Sequence, residues 1–101
     1  MHYVYGIKSR LNGRIYIGQT KNIDERLVAH NNGRVKSTKK DKPWKLYAME
    51  VFGNRNEAMH IEWKLKCSNG ARLRWLEKHI ISNATLSSNE KRHISKGLYE
   101  T

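Results

Sequence analysis

An Asn-Gly pair at residues 12 and 13 lies between two short runs of β-forming residues. Asn-Gly is the strongest short hairpin signal, because both residues tolerate φ > 0. The first arm is His2-Tyr3-Val4-Tyr5-Gly6-Ile7 and the return arm is Arg14-Ile15-Tyr16-Ile17-Gly18. Successive strand side chains point to opposite faces. Tyr3, Tyr5 and Ile7 therefore share one face of the first arm, with Val4 on the other. On the return arm Ile15 and Ile17 share a face and Tyr16 points the opposite way. A chain that begins like this needs further elements, helices above all, to cover its sheet.

A helix follows at once. Asn22 has the chemistry of an N-cap, and Glu25 three residues later completes a capping-box pattern. The helical run is Ile23 to His30, and Asn31-Asn32-Gly33 supplies residues that accept a left-handed C-cap. Ile23 and Leu27 form its core stripe. Arg26 and His30, spaced i, i+4, flank that stripe and are placed at the edge of the core.

Residues 34 to 42 carry five basic side chains and no apolar period. They read as a mobile loop suited to phosphate contacts, with Lys36, Lys39 and Lys40, together with Arg14, as the nucleic-acid-binding candidates. Pro43 ends the loop. Trp44 to Phe52 alternates and is rich in aromatics, which predicts a third strand. Asn54 and Glu57 repeat the capping pattern and start a second helix that runs to about Cys67, with Ala58, Ile61 and Leu65 buried. After Ser68-Asn69-Gly70, a third helix is predicted over residues 71 to about 82, with Leu73, Leu76 and Ile80 as its stripe. The last stretch is polar. Ser88-Asn89-Glu90 caps a short predicted helix through Ile94, stopped by Gly97. Strands then helices in this order give an α+β class, expected as one domain over residues 1–101, with a core at about 2–82 and a polar C-terminal extension at 83–101.

A chain of 101 residues has room for one small core. Its 38% hydrophobic content is low but sufficient, which argues against wholesale disorder. Twenty Lys+Arg against nine Asp+Glu give a net charge of +11, which attracts polyanions. Nucleic acid is the commonest such partner. An anionic membrane surface is the competing one, but no long apolar or lipid-anchoring stretch is present. No N-terminal signal segment is visible, so a cytoplasmic location is expected. Cys67 is alone, which removes any intrachain disulfide. Five scattered histidines and one cysteine do not make a zinc-site spacing.

Glu62 has a helical angle between Ala58, Ile61 and Leu65, on the buried side. A carboxylate there is costly unless it is paired or binds a metal. Glu77 sits between Leu73, Leu76 and Ile80 by the same argument, and spacing does not separate the two. Glu57 reads as a capping residue. Arg26 suits a phosphate clamp, since its guanidinium is planar, always charged and bidentate. His30 can orient a phosphate or shuttle a proton. Tyr5 and Tyr16 are sheet-packing residues unless a positive charge or a metal lies near a hydroxyl, which would pull its pKa down from about 10 towards general-base range.

These residues, in this order, resemble the GIY-YIG nuclease superfamily. Tyr3-Val4-Tyr5 stands in the place of the first motif and Tyr16-Ile17-Gly18-Gln19-Thr20 is close to the second. The family's arginine falls on Arg26 and its histidine on His30. Its later acidic residue lies in a Glu-Ala-x-x-x-Glu pattern, here Glu57 to Glu62, so the resemblance selects Glu62 over Glu77. Tyr-Val-Tyr replaces Gly-Ile-Tyr but leaves Tyr5 in place. The likeness spans about residues 2 to 82. It implies a three-stranded antiparallel sheet flanked by helices and metal-dependent cleavage of DNA phosphodiester bonds. Tyr5, Tyr16, Arg26, His30 and Glu62 would be catalytic, with one Mg²⁺ or Mn²⁺ on Glu62. The alternative is a catalytically silent DNA-binding or adaptor module of the same fold. With no room for an appended DNA-binding domain, backbone and shape readout by a monomer, and nicking over double-strand breakage, are expected.

Overall fold

The computed structural model describes residues 1–81. Three strands, β1 (His2–Ser9), β2 (Ile15–Thr20) and β3 (Trp44–Phe52), form an antiparallel sheet in the order β2-β1-β3. Three helices accompany it: α1 (Ile23–Asn31), α2 (Arg55–Cys67) and α3 (Asn69–His79). This is the expected α+β fold. The predicted segment around Ser88 to Ile94 lies outside the described residues.

The first hairpin forms where Asn12-Gly13 predicts it, but as a wider turn. Gly13 has φ +80, and among the described residues no non-glycine residue has positive φ. Ser9 N–H donates to Arg14 O at 2.8 Å and Gly13 N–H to Ser9 O at 2.9 Å. The Asn12 side chain accepts from Arg14 N–H at 3.0 Å, so this residue works through its amide oxygen instead of a left-handed backbone.

The alternation of β1 decides the layering. Tyr5 and Ile7 join Trp44 on one face, where Tyr16, Ile23, Leu27 and Leu46 pack against them. Val4 joins Ile17 and Ala48 on the other, against Ala58, Leu65, Ala71, Trp75 and Leu76. The α1 helix thus covers one face, and α2 and α3 cover the other. Burying a side chain such as Leu27 stabilises by about 1.5–3 kcal/mol when complete. A helix of nine residues needs that support, because isolated helices this short are marginal.

Both predicted caps are present. Asn22 accepts from Glu25 N–H at 3.0 Å and Asn54 from Glu57 N–H at 2.9 Å. Gly33, at φ +76, ends α1. Arg34 N–H then reaches Ala29 O and Gly33 N–H reaches His30 O, the two bonds of a left-handed C-terminal cap.

Two expectations are corrected. The α3 helix starts earlier, because Ser68 caps it by accepting from Ala71 N–H at 3.1 Å. Its buried side is Ala71, Trp75 and Leu76, while Leu73 is 58% exposed. Trp75 sets that rotation: its indole N–H donates to Glu50 Oε1 on β3 at 2.8 Å. Residues 34 to 42 are not a free loop either. They include a 3-10 turn (Lys39–Asp41) and a fully buried Thr38, whose carbonyl accepts from Trp44 Nε1 at 2.9 Å. Asn12 Nδ2 donates to Asp41 Oδ1 at 2.8 Å, and Arg14 donates to the Ser37 carbonyl at 3.0 Å. Each bond joins residues more than a turn apart in sequence, so no local period announces them. Among the described residues, no helix is long and apolar enough to cross a membrane.

Candidate active site

Tyr5 lies on the central strand, 2% exposed. Its hydroxyl is held from one side by two residues of α1. His30 Nε2 stands 2.8 Å away, and Arg26 Nε donates to the same oxygen at 3.3 Å. The i, i+4 spacing explains this: Arg26 and His30 are stacked on one helix face, and that face lies over Tyr5. His30 was expected at the edge of the core. It is fully buried instead, with Nδ1 2.8 Å from Thr38 Oγ1. It therefore has no direct access to a phosphate, and its hydrogen bond into the site goes to Tyr5.

Tyr16 pairs across from Ile7 and turns to the Tyr5 face. Its ring centroid lies 6.4 Å from Tyr5, 5.1 Å from His30 and 6.4 Å from Trp44. The α2 helix packs across β1 and β2 and brings Glu62 to the same neighbourhood. Lys66 connects the two groups. Its ammonium is 2.9 Å from Glu62 Oε2 and 5.4 Å from the Tyr16 ring centroid. The Glu62 side chain is 20% exposed, whereas Glu57 and Glu77 are exposed surface residues. Burial thus separates Glu62 from its rival where spacing did not. The structure gathers Tyr5, Tyr16, Arg26 and His30 in direct contact and sets Glu62 beside them through Lys66.

Burial drives the electrostatics. It pushes the Tyr5 phenol up to about 12; Arg26 opposes that shift, and the negative charge of Glu62 adds to it. Burial, followed by the charge of Arg26, pulls His30 down to about 4. Arg26 itself is raised, chiefly by its hydrogen bond to Tyr5. At neutral pH the centre therefore consists of a neutral phenol, a neutral imidazole and a guanidinium.

The other sequence candidates lie further out. Lys36, Lys39 and Lys40 are exposed. Arg14 is tied to Asp41, whose carboxyl is held below the ordinary range by Arg14 and Asn12, so part of its charge is already answered.

Three neighbours went unnoticed as site residues. Gly18 faces Tyr5 on β2, and a Cβ there would stand 2.6 Å from Tyr5 Oη and 3.1 Å from Tyr16 Cε2. A glycine inside a strand is the signal that could have found it. Thr38 carries no such signal, whereas Lys66 stands one helical turn after Glu62, at ion-pair spacing.

Among the described residues, no group of three or more His, Cys, Asp or Glu could hold a metal ion. Glu62 offers one hard carboxylate. That donor suits Mg²⁺ or Mn²⁺ only as an ion that keeps most of its waters, and it must compete with Lys66.

A family model described as the GIY-YIG catalytic domain matches residues 1–74. The chain belongs to the GIY-YIG family. That family is of nuclease type. The chain is 38% identical over 66 residues to a UPF0213 protein of Staphylococcus saprophyticus, covering 64% of this chain and 79% of that protein. It is 37% identical over 79 residues to a UPF0213 protein of Staphylococcus haemolyticus, covering 76% and 95%. It is 40% identical over 67 residues to one from Clostridium perfringens, covering 65% and 71%.

Two outcomes follow. Gly18→Ala forces Tyr5 or its strand to move and should cost about 1–3 kcal/mol in urea unfolding, as overpacking does. Gly53→Ala, at a position with open space around it, serves as the comparison. His30 makes stability fall on acidification. Above pH 6.5 neither state binds its proton; between 6.5 and about 4 the unfolded chain binds it and the folded one does not; below about 4 both do. Unfolding free energy should drop across that window with a slope of up to about 1.4 kcal/mol per pH unit from this group. A His30→Gln variant should lose that component, and an unchanged slope would rule the effect out.

Proposed function

We propose that this protein is a metal-dependent DNA endonuclease that nicks phosphodiester bonds, with Tyr5, Tyr16, Arg26, His30 and Glu62 as its working residues. The observation that carries the reading is the Tyr5 hydroxyl, held at once by Arg26 Nε and His30 Nε2. A phenol buried for packing alone needs one such partner. This one has a permanent cation and a neutral base on the same oxygen. The family membership of residues 1–74 supports the same class of chemistry.

In this reading Tyr5 takes a proton from the attacking water, and His30 stands ready for the proton Tyr5 gives up. Arg26 uses one N–H on Tyr5 and has further donors for the non-bridging oxygens of the phosphate. Tyr16, packed against Tyr5 and His30, positions the water. Glu62 would hold the divalent ion, whose chemistry when bound is to neutralise charge on the phosphate and the leaving oxygen. Neutralising Glu62 has a second effect. Its negative charge helps keep the Tyr5 phenol near 12, so any cation placed on it eases loss of the Tyr5 proton. Exposed Lys36, Lys39 and Lys40, with Arg14, would grip backbone phosphates away from the cut.

One observation favours a second reading. Lys66 already occupies Glu62 Oε2. If an ion never displaces it, the chain is a silent DNA-binding module. Supercoiled plasmid with Mg²⁺ or Mn²⁺ separates the two. The endonuclease reading expects nicking by the wild type and a loss of roughly 10²-fold or more in Glu62→Ala and Arg26→Ala, the scale of electrostatic and acid–base contributions. Equal rates for all three proteins, with DNA binding retained and steeply salt-dependent, would leave the binding module.

A further inference from the structure

We propose that Thr38 is a positioning residue that sets the tautomer of His30, so that the imidazole accepts the Tyr5 proton instead of donating one. The inference deepens the endonuclease reading and rests on it for its catalytic meaning. Its structural part stands alone.

Four buried or half-buried groups form a line. Tyr5 Oη is 2.8 Å from His30 Nε2, His30 Nδ1 is 2.8 Å from Thr38 Oγ1, and Thr38 Oγ1 donates to Val35 O at 3.3 Å. Tyr5, His30 and Thr38 are 2%, 0% and 0% exposed, so water does not complete their bonding. A neutral imidazole has one N–H and one acceptor nitrogen. If the hydrogen is on Nδ1, it goes to Thr38 Oγ1, the threonine hydroxyl goes to Val35 O, and the Tyr5 hydroxyl goes to Nε2. Every hydrogen then has an acceptor. If it is on Nε2, it points at Tyr5 Oη, which already accepts from Arg26 Nε. The Tyr5 hydroxyl hydrogen is then buried with no acceptor among the described residues. Leaving such a group unmet is the costly outcome.

The direction of this line matters for the chemistry. With Nε2 bare, the Tyr5 proton can cross to it as the phenol oxygen takes a proton from water. The imidazole becomes imidazolium, with Nδ1–H still on Thr38, and the hydroxide is left to attack phosphorus. With Nε2 protonated, the same crossing has nowhere to go. Thr38 touches neither substrate nor Tyr5 and acts only through His30. It belongs to the segment that carries Lys36, Lys39 and Lys40, so the seating of that basic loop and the proton position on His30 are mechanically joined.

The test is a long-range ¹H–¹⁵N correlation spectrum of the histidine-labelled full chain near pH 7, for wild type, Thr38→Val and Thr38→Ser. His30 should carry its proton on Nδ1 in the wild type and in Thr38→Ser. It should shift towards Nε2 in Thr38→Val, which keeps the shape and removes the acceptor. Plasmid nicking by Thr38→Val should fall roughly ten- to a hundredfold in kcat with KM little changed, and Thr38→Ser should recover most of it. An Nε2 proton in the wild type overturns the proposal without any variant having to fold. So does a Thr38→Val spectrum unchanged from wild type. The predicted tautomers in a protein that never nicks would uphold the Thr38 assignment and remove the endonuclease reading alone.

Discussion

The hydroxyl of Tyr5 is the point on which this structure turns. It lies in the middle of the central strand, almost out of reach of solvent, and two residues of one short helix hold it. A buried phenol must be satisfied, and satisfying it fixes how α1 lies on the sheet. Arg26 and His30 come into register with Tyr5 only if α1 runs over that face with Ile23 and Leu27 turned inwards. The same demand reaches across the strand pair, since Gly18 must lack a side chain for the ring to fit. Packing and chemistry are therefore two uses of one set of contacts.

The burial that makes the network rigid also works against its use. It raises the phenol to about 12 and depresses the imidazole to about 4, so the proton stays on Tyr5 at neutral pH. Arg26 offsets this in part. Glu62 pushes the other way, even with Lys66 bound to it in the free protein. Two other acidic groups are also engaged: Asp41 on Arg14, and Glu50 on Trp75 and His79. The basic excess is left facing outwards, as a partner for polyanions requires.

What could be read from the residues was whatever local chemistry decides. Asn12-Gly13 turned the hairpin, Asn22 and Asn54 capped the helices, and alternation sorted Tyr5 from Val4. Arg26 and His30 were placed together by helical spacing alone. Glu62 and Glu77 were equivalent by period, and only the path of α2 across β2 leaves one half-buried and the other in water. Leu73 misled because Trp75 bonds to Glu50 on a different element and turns α3. Thr38 was illegible for the same reason: it matters through a partner on another element, eight residues away. Lys66 was legible as the i, i+4 partner of Glu62, but its approach to the Tyr16 ring on β2 was not. His30 was assigned to the right place but the wrong depth, since nothing local says that Thr38 will close over it.

We propose that loss of the Tyr5 proton, not the Tyr16 proton, opens the reaction. Fluorinating one tyrosine ring at a time makes that phenol more acidic with little change in shape. The direct measurement is the pH dependence of plasmid nicking in Mg²⁺ with fluorotyrosine at position 5 or at position 16. Fluorination at Tyr5 should move the rising limb of the profile to lower pH, and fluorination at Tyr16 should leave its midpoint in place. A limb that follows Tyr16, or that ignores both rings, would rule out Tyr5 as the base.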